Sequence, residues 1–413
     1  MPEVQQPARR EVRGYEAVRA AAKDYETYSS DLLGDRDVRT YHQLPLEADP
    51  PRHTEFRAAL QPLFMSSAIE PKSPQFERLA LDLITGITER GGGEVASELA
   101  LPFVIGCLTI IYNRPQDLDE WISWGPDVWT AEAYAAGEVT PESQRAQRDR
   151  AFDTASQRSG AVLEAYLTRV FDEAESRQES NPDLMDIWDV VSQLEVSGKR
   201  VNREEMHGIA NVLLAGGRDT VIKLITGLTW HLLRSPADRE FLTTNENAYN
   251  QTIAEMVRYL TPLPKMERVL TEDRTAGDSD RDTSKYVLLS FVSANFDKTI
   301  WPDAGVLDIH RDRKPHLAFG FGRHSCMGMN ITEHEAKAFL RTLLNNWPDW
   351  ALDGEPEIEW TTEGNGANAV EVIDHFLSLR VTTGREVGTR ERVTAPAGGE
   401  GRAGAGVRRF PST

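Results

Sequence analysis

A chain of 413 residues, 40% of them hydrophobic and 8% aromatic, can bury a large core in one big domain or two ordinary ones. With 65 acidic against 46 basic residues the net charge is −19, which repels polyanions and makes nucleic acid and anionic membrane poor partners for the chain as a whole. Two cysteines, Cys107 and Cys326, exclude a disulfide scaffold and fit a reducing, cytoplasmic setting.

The opening residues, MPEVQQPARREVRGYEAV, contain no apolar core, so no signal peptide or anchor is expected there. Residues 1–11 are expected to form a disordered extension. Helical spacing dominates from about Pro50 to Pro236. Within it, His53-Thr-Glu-Phe-Arg57 sets an imidazole and a guanidinium at i,i+4, where both can point at one anion, although a lone pair of this kind is more often a solvated face. The longest apolar stretch runs from Leu99 to Tyr112. It is too short to span a bilayer and holds Pro102 and Gly106, which predicts a buried helix with Cys107 as a packed small hydrophobe.

Met206, Ile209, Ala210, Leu213, Gly217, Val221, Leu224 and Leu228 recur at helical spacing and predict one long helix. Ala215-Gly-Gly-Arg-Asp-Thr220 interrupts its pattern. Each of the two glycines costs roughly 1 kcal/mol relative to alanine, which points to a close approach or a local opening. Helix returns over Asn245 to Tyr259, where Glu255-Met-Val-Arg258 is an i,i+3 pair of a kind that is usually solvated and contributes little. Tyr286 to Val292 reads as a strand after the polar turn Gly277 to Ser284. After Gly328 an apolar stripe of Ala336, Phe339, Leu340, Leu343 and Leu344 marks another helix. Residues 384–413 turn Gly- and Arg-rich and are expected to be a disordered tail. The expected body is a single, mostly helical domain over 12–383 with a minor sheet component.

The densest chemistry is Phe319-Gly-Phe-Gly-Arg-His-Ser-Cys-Met-Gly328. A thiolate that ligates iron needs deprotonation, shielding from water and donors that temper its charge. Gly320, Gly322 and Gly328 permit a tight fold with N–H groups aimed at sulfur. The following helix points its positive end at Cys326 and lowers its pKa. Arg323 and His324 add positive charge nearby, and Phe319 can cover one side of a flat cofactor. A Gly-rich turn holding an idle cysteine is the bland alternative, but an aromatic, three glycines, a basic pair and a cysteine at fixed spacing make a strong signal.

Through Phe319, Gly322, Arg323/His324, Cys326 and Gly328 the sequence resembles the cytochrome P-450 family, and the resemblance runs from about Val12 to Val381. It implies a mainly α fold with a minor β region, with haem b between the long central helix and the cysteine-loop helix. It implies Cys326 as the metal ligand, with His53, Arg57, Arg268 and His324 at the haem propionates and Phe319 over the macrocycle. Glu255 and Arg258 match a pair that locks the core. Gly216 matches the glycine that leaves room for dioxygen, and Asp219 and Thr220 match the acid and hydroxyl that relay protons. Three departures stand out: Val221 for a second Thr, Phe296 where relatives usually carry Arg, and a start that lacks several dozen residues of helix and strand. The implied activity is monooxygenation of a small apolar organic substrate, by hydroxylation or O/N-dealkylation. Electrons would come from NAD(P)H through a separate ferredoxin reductase and ferredoxin, to a monomeric enzyme. Trp124, Trp129, Tyr134 and Leu263 to Met266 fall in segments that line the pocket in relatives. A basic stretch, His310, Arg311, Arg313, Lys314, His316, Arg323 and His324, is expected to dock the donor. A hydrogen peroxide-using peroxygenase and a non-catalytic haem sensor are the rivals, and neither needs the Asp219–Thr220 pair.

Overall fold

The computed structural model describes residues 10–32, 41–124, 162–177, 185–271, 286–366, 369–383 and 406–408. Trp129, Tyr134 and the 277–284 turn lie outside the described residues, as do 1–9 and the rest of the tail.

Apolar stripes decide which helices face one another. On Ser73–Glu89 the buried residues Phe76, Ala80, Ile84 and Ile87 recur every three or four positions. The helix packs against Met329–Asn345, whose buried side includes Phe339, Leu343 and Leu344. Leu101–Tyr112 is apolar nearly all round and is buried along most of its length, with the Phe103 ring 5.5 Å from that of Phe339. Cys107 is fully buried within it, as its setting predicts. Among the described residues no helix is long and apolar enough to cross a membrane.

The pattern over Met206 to Leu228 is two helices, Arg203–Ala215 and Asp219–Arg234, where one was expected. Asn202 starts the first through a reciprocal capping box with Glu205. Its Gly208 faces the carbonyl of His42, which a Cβ there would approach to 2.1 Å. Helical hydrogen bonding stops at Gly216 and resumes at Asp219, because two flexible residues in sequence leave the backbone no side chain to hold its turn.

Four short strands form one sheet in the order Arg10–Val12, Tyr286–Ser290, Lys265–Leu270, Tyr28–Ser29. The first pair is parallel and the others are antiparallel. Arg10 and Glu11 thus belong to the sheet, which corrects the expected disordered extension of 1–11 at its last two residues. The strand predicted to reach Val292 ends at Ser290, whose Oγ accepts from the Ser293 N–H and starts the helix Phe291–Asn295. A hairpin of Glu357–Glu363 and Val370–Ser378 gains a third strand, Gly406–Arg408, so three residues of the expected disordered tail are paired.

Glu255 and Arg258, on the helix Tyr249–Leu260, are buried, unlike the solvated pair that spacing alone suggests. Arg258 Nε and Nη2 each donate to Glu255 at 2.8 Å, Nη1 donates to the carbonyls of Asn295 and Ala304 at 2.9 Å, and Nη2 also reaches Val306 O at 3.3 Å. All five guanidinium donors are used. Arg311 Nε adds a second cation to Glu255 at 3.2 Å. The Arg258 guanidinium lies over two rings, 5.5 Å from the centroid of Phe296 and 5.4 Å from that of Trp301.

Candidate active site

The cysteine loop closes through its own backbone. Gly320 N donates to Leu317 O at 2.9 Å and Cys326 N to Phe319 O at 2.8 Å. Gly320 and Gly322 take φ of +67° and +71°, a region glycine adopts without steric cost. Gly322 also rests on the helix Tyr15–Lys23, where a Cβ would stand 2.8 Å from Ala22 O. Gly328 is the N-cap of Met329–Asn345, and a Cβ there would lie 3.6 Å from Cys326 Sγ. Confinement pushes the Cys326 thiol up, while the N–H groups of Gly328 and Met329 and the charge of Arg57 pull it down. Those donors stabilise a thiolate.

Arg57 is the cation that faces this sulfur. It extends from the helix Arg52–Leu60 and donates through Nη1 to the carbonyls of Arg323 at 2.9 Å and Ser325 at 2.7 Å. One turn earlier His53 is buried, with its ring 4.2 Å from that of His324. Among the described residues neither ring nitrogen of His53 has a hydrogen-bond partner, nor does Nε2 of His324. Burial and then neighbouring guanidiniums hold His53 at about 4, and burial with Arg268, His53 and Arg57 holds His324 at about 2. Arg268, on the strand Lys265–Leu270, is buried too, and its Nη1 donates to the adjacent Glu267 carbonyl at 2.6 Å. Burial lowers this guanidinium to about 10, opposed only by Asp49.

The broken helix carries a second group. Gly216 N still reaches Val212 O at 3.0 Å, and Asp219 opens the next helix. The Asp219 carboxylate is ion-paired with the buried Arg218 and is itself half exposed. Thr220 is part-buried beside it.

A family model described as Cytochrome P450 matches residues 248–362, the span from the Glu255–Arg258 helix through the cysteine loop to the hairpin. The monooxygenase PikC of Streptomyces venezuelae is 28% identical over 396 residues, which are 92% of this chain and 86% of that protein. The steroid C26-monooxygenase of Mycobacterium tuberculosis (strain ATCC 25618 / H37Rv) is 27% identical over 345 residues, 83% of this chain and 82% of that one. A solved carbohydrate-active P450 superposes with a TM-score of 0.72 over 90% of this chain and 91% of its own, at 24% identity. Together the matched model, these relatives and the shared fold support a cytochrome P450 family for the chain. This P450 is an oxidoreductase of the monooxygenase class, and the family brings haem and dioxygen with it.

In this P450, Cys326, Arg57, His53, His324 and Arg268 come together around the loop. Phe319 joins them through its carbonyl on Cys326 N, and its ring lies 5.7 Å from that of His316. Gly216, Asp219 and Thr220 form the other group, joined to the first by no hydrogen bond or ion pair among the described residues. Arg323 and His324 are not the cations beside sulfur that their spacing suggested. Arg323 stacks on Tyr25 at 4.9 Å, and His324 is kept neutral. The basic stretch also divides. Arg311 is bound to Glu255, His310 pairs with Asp238, and His316 is held neutral at about 4 by burial. Trp124 is buried in core packing, 5.0 Å from Tyr166. Sequence reading missed Asp49, the carboxylate that acts on both His53 and Arg268 and accepts from Ser29 Oγ and from Ser30 N at 2.9 Å. Its place just before the His53 helix was the available signal.

Proposed function

We propose that this P450 holds haem b through Cys326, receives its two propionates with Arg57, Arg268, His53 and His324, and oxidises a small apolar organic molecule. On this reading the enzyme is a cytoplasmic monomer, and NAD(P)H supplies electrons through ferredoxin reductase and ferredoxin. The observation that carries the reading is the set of buried, unsatisfied donors beside the cysteine loop. A buried donor left without a partner costs about 1–3 kcal/mol, so several converging on one place call for an acceptor. Two carboxylates would meet that demand, and a Cys326 thiolate cradled by two N–H groups would hold the iron. Bound haem supplies dioxygen activation, which thiolate ligation favours through O–O cleavage.

The remaining work belongs to the chain. Neutral imidazoles at His53 and His324 donate hydrogen bonds without adding two further charges to the arginines. Gly216 keeps the wall at the helix break free of side chain. Thr220 Oγ1 can donate a proton there, and Asp219, held by Arg218, can resupply it. The pair favours oxygen activation over direct peroxide use. In the reduced carbon monoxide complex, the wild-type protein should show the absorption band of thiolate ligation, and Cys326→His should lose it. An unchanged band in that variant removes Cys326 as ligand. Thr220→Ala should keep the band yet divert NADH consumption to hydrogen peroxide, and full coupling to product would place the relay elsewhere.

A further inference from the structure

Three residues beyond Thr220 the same helix carries Lys223, which the site leaves unused. Its Nζ donates to Ile373 O at 2.7 Å, on the hairpin strand Val370–Ser378. The strand shifts register between Ile373 and His375, so Asp374 is the extra residue and turns toward Lys223 and His375. His375 stands opposite Glu359 on the neighbouring strand, its Nδ1 3.4 Å from Glu359 and 3.6 Å from Asp374. Charges therefore alternate from helix into hairpin. The hairpin has another tie at Glu363, which takes Lys265 Nζ at 3.1 Å and Arg13 Nη1 at 3.5 Å.

The two lysines differ in kind. Lys265 lies between Glu11 and Glu363, and although burial opposes it, its ammonium is held above the ordinary value. Lys223 is enclosed with one hydrogen bond and one carboxylate for three N–H donors, and burial outweighs Asp374 to bring it down to about 8. The groups facing it are Asp374 and, behind it, His375 and Glu359; on its own helix Asp219 is turned to Arg218.

We propose that Lys223 is a proton-linked latch, which seats the hairpin Glu357–Ser378 against the helix that carries Thr220 and lets it open by taking up a proton. The sign follows from the two states. With the hairpin seated, Lys223 gives up its proton near 8, whereas a hydrated Lys223 in the open state keeps it up to its ordinary value of 10.5. Between those values opening binds a proton, so raising pH makes opening rarer, by up to about tenfold per pH unit. Below 8 both states are charged and opening is at its most frequent. Access to the Thr220 face is thus easiest at neutral pH. The latch stands on the helix–hairpin contact and does not require the proposed role of Thr220.

Amide exchange of residues 370–378 in the haem-loaded protein, corrected for intrinsic rate and followed from pH 7 to 9.5, tests this. A chelator is present throughout, because Glu359, Asp374 and His375 bring their donor atoms within 4.8 Å of one another. Wild-type opening should be flat to about 8 and then fall. Lys223→Met should remove the fall, and Lys223→Arg, charged throughout, should stay flat and open more often than wild type at the alkaline end. His375→Gln should keep the fall, and Asp374→Asn should move it to lower pH. A flat wild-type profile, a slope that survives in Lys223→Met, or one abolished by His375→Gln overturns the latch. Should Lys223→Met not fold, the Asp374→Asn shift decides alone.

Discussion

At the scale of single residues, the site is defined by groups that folding leaves short of partners. His53 and His324 are kept neutral by burial and by the guanidiniums around them, at about 4 and about 2 against an ordinary 6.5. An unfolded chain takes up protons at both as pH falls below 6.5, and the folded haem-free protein does not. Its stability is therefore full above that value and declines as pH falls toward 4, by up to about 1.4 kcal/mol per pH unit for each group. On the proposed function, carboxylates of bound haem would stabilise the protonated imidazoles and oppose the decline. Urea midpoints from pH 7 to 4.5 should fall steeply without haem and less with it, and His53→Gln should flatten the haem-free curve. Equal slopes with and without haem would mean that these donors do not face its carboxylates.

At the scale of elements, close backbone approach decides which substitutions are tolerated. At Gly208 a Cβ would meet the His42 carbonyl at 2.1 Å, and backbone cannot rotate aside. At Gly217 it would meet a Leu108 methyl at 3.2 Å, which can. Gly208→Ala should cost roughly 1–3 kcal/mol, and Gly217→Ala much less, measured as urea midpoints; the reverse order would contradict the packing. What was legible in sequence follows the same division. The apolar stripe after Gly328, the buried Leu101–Tyr112 helix and the glycine turns before Cys326 are local patterns, and the structure has each of them. The break at Gly216–Arg218 was visible as paired glycines, but whether such a pair is merely tolerated in one helix or divides it in two is not written in the apolar spacing, which runs on through both helices. Glu255–Arg258 looked like one of many surface pairs, because the carbonyls that bury it come from residues 295–306. Likewise nothing local told that Arg57, a helix away, supplies the cation at Cys326, or that a hydroxyl at Ser290 would end a strand two residues early.

At the scale of the whole molecule, a net charge of −19 has to be reconciled with the proposed ferredoxin donor, for which docking on a basic face requires an acidic surface. Charge screening confines that repulsion. The Debye length is about 8 Å at physiological ionic strength, so a local basic face governs the last approach while the distant acidic surface is largely damped. The structure redraws that face. Arg311 belongs to Glu255 and His310 to Asp238, whereas Lys23, Arg313, Lys314 and Arg323 remain exposed, with Lys23 over the Phe321 ring of the cysteine loop at 5.2 Å. Arg313 makes a 3.9 Å approach to Glu333, and its side chain is 60% exposed. Reversing charge at Lys23 and Arg313 should therefore slow reduction by ferredoxin several-fold at low salt, and weaken the decline of rate with added salt, while the carbon monoxide spectrum stays intact. Arg311→Glu should behave differently. It sets a carboxylate against Glu255 in a buried cluster, a change that should cost about 3–5 kcal/mol and empty the protein of haem before docking can be measured. If Arg311→Glu instead gave a stable, haem-loaded enzyme with slow reduction, Arg311 would be a docking residue after all. If the Lys23 and Arg313 reversals left both rate and salt dependence unchanged, the donor would approach another face.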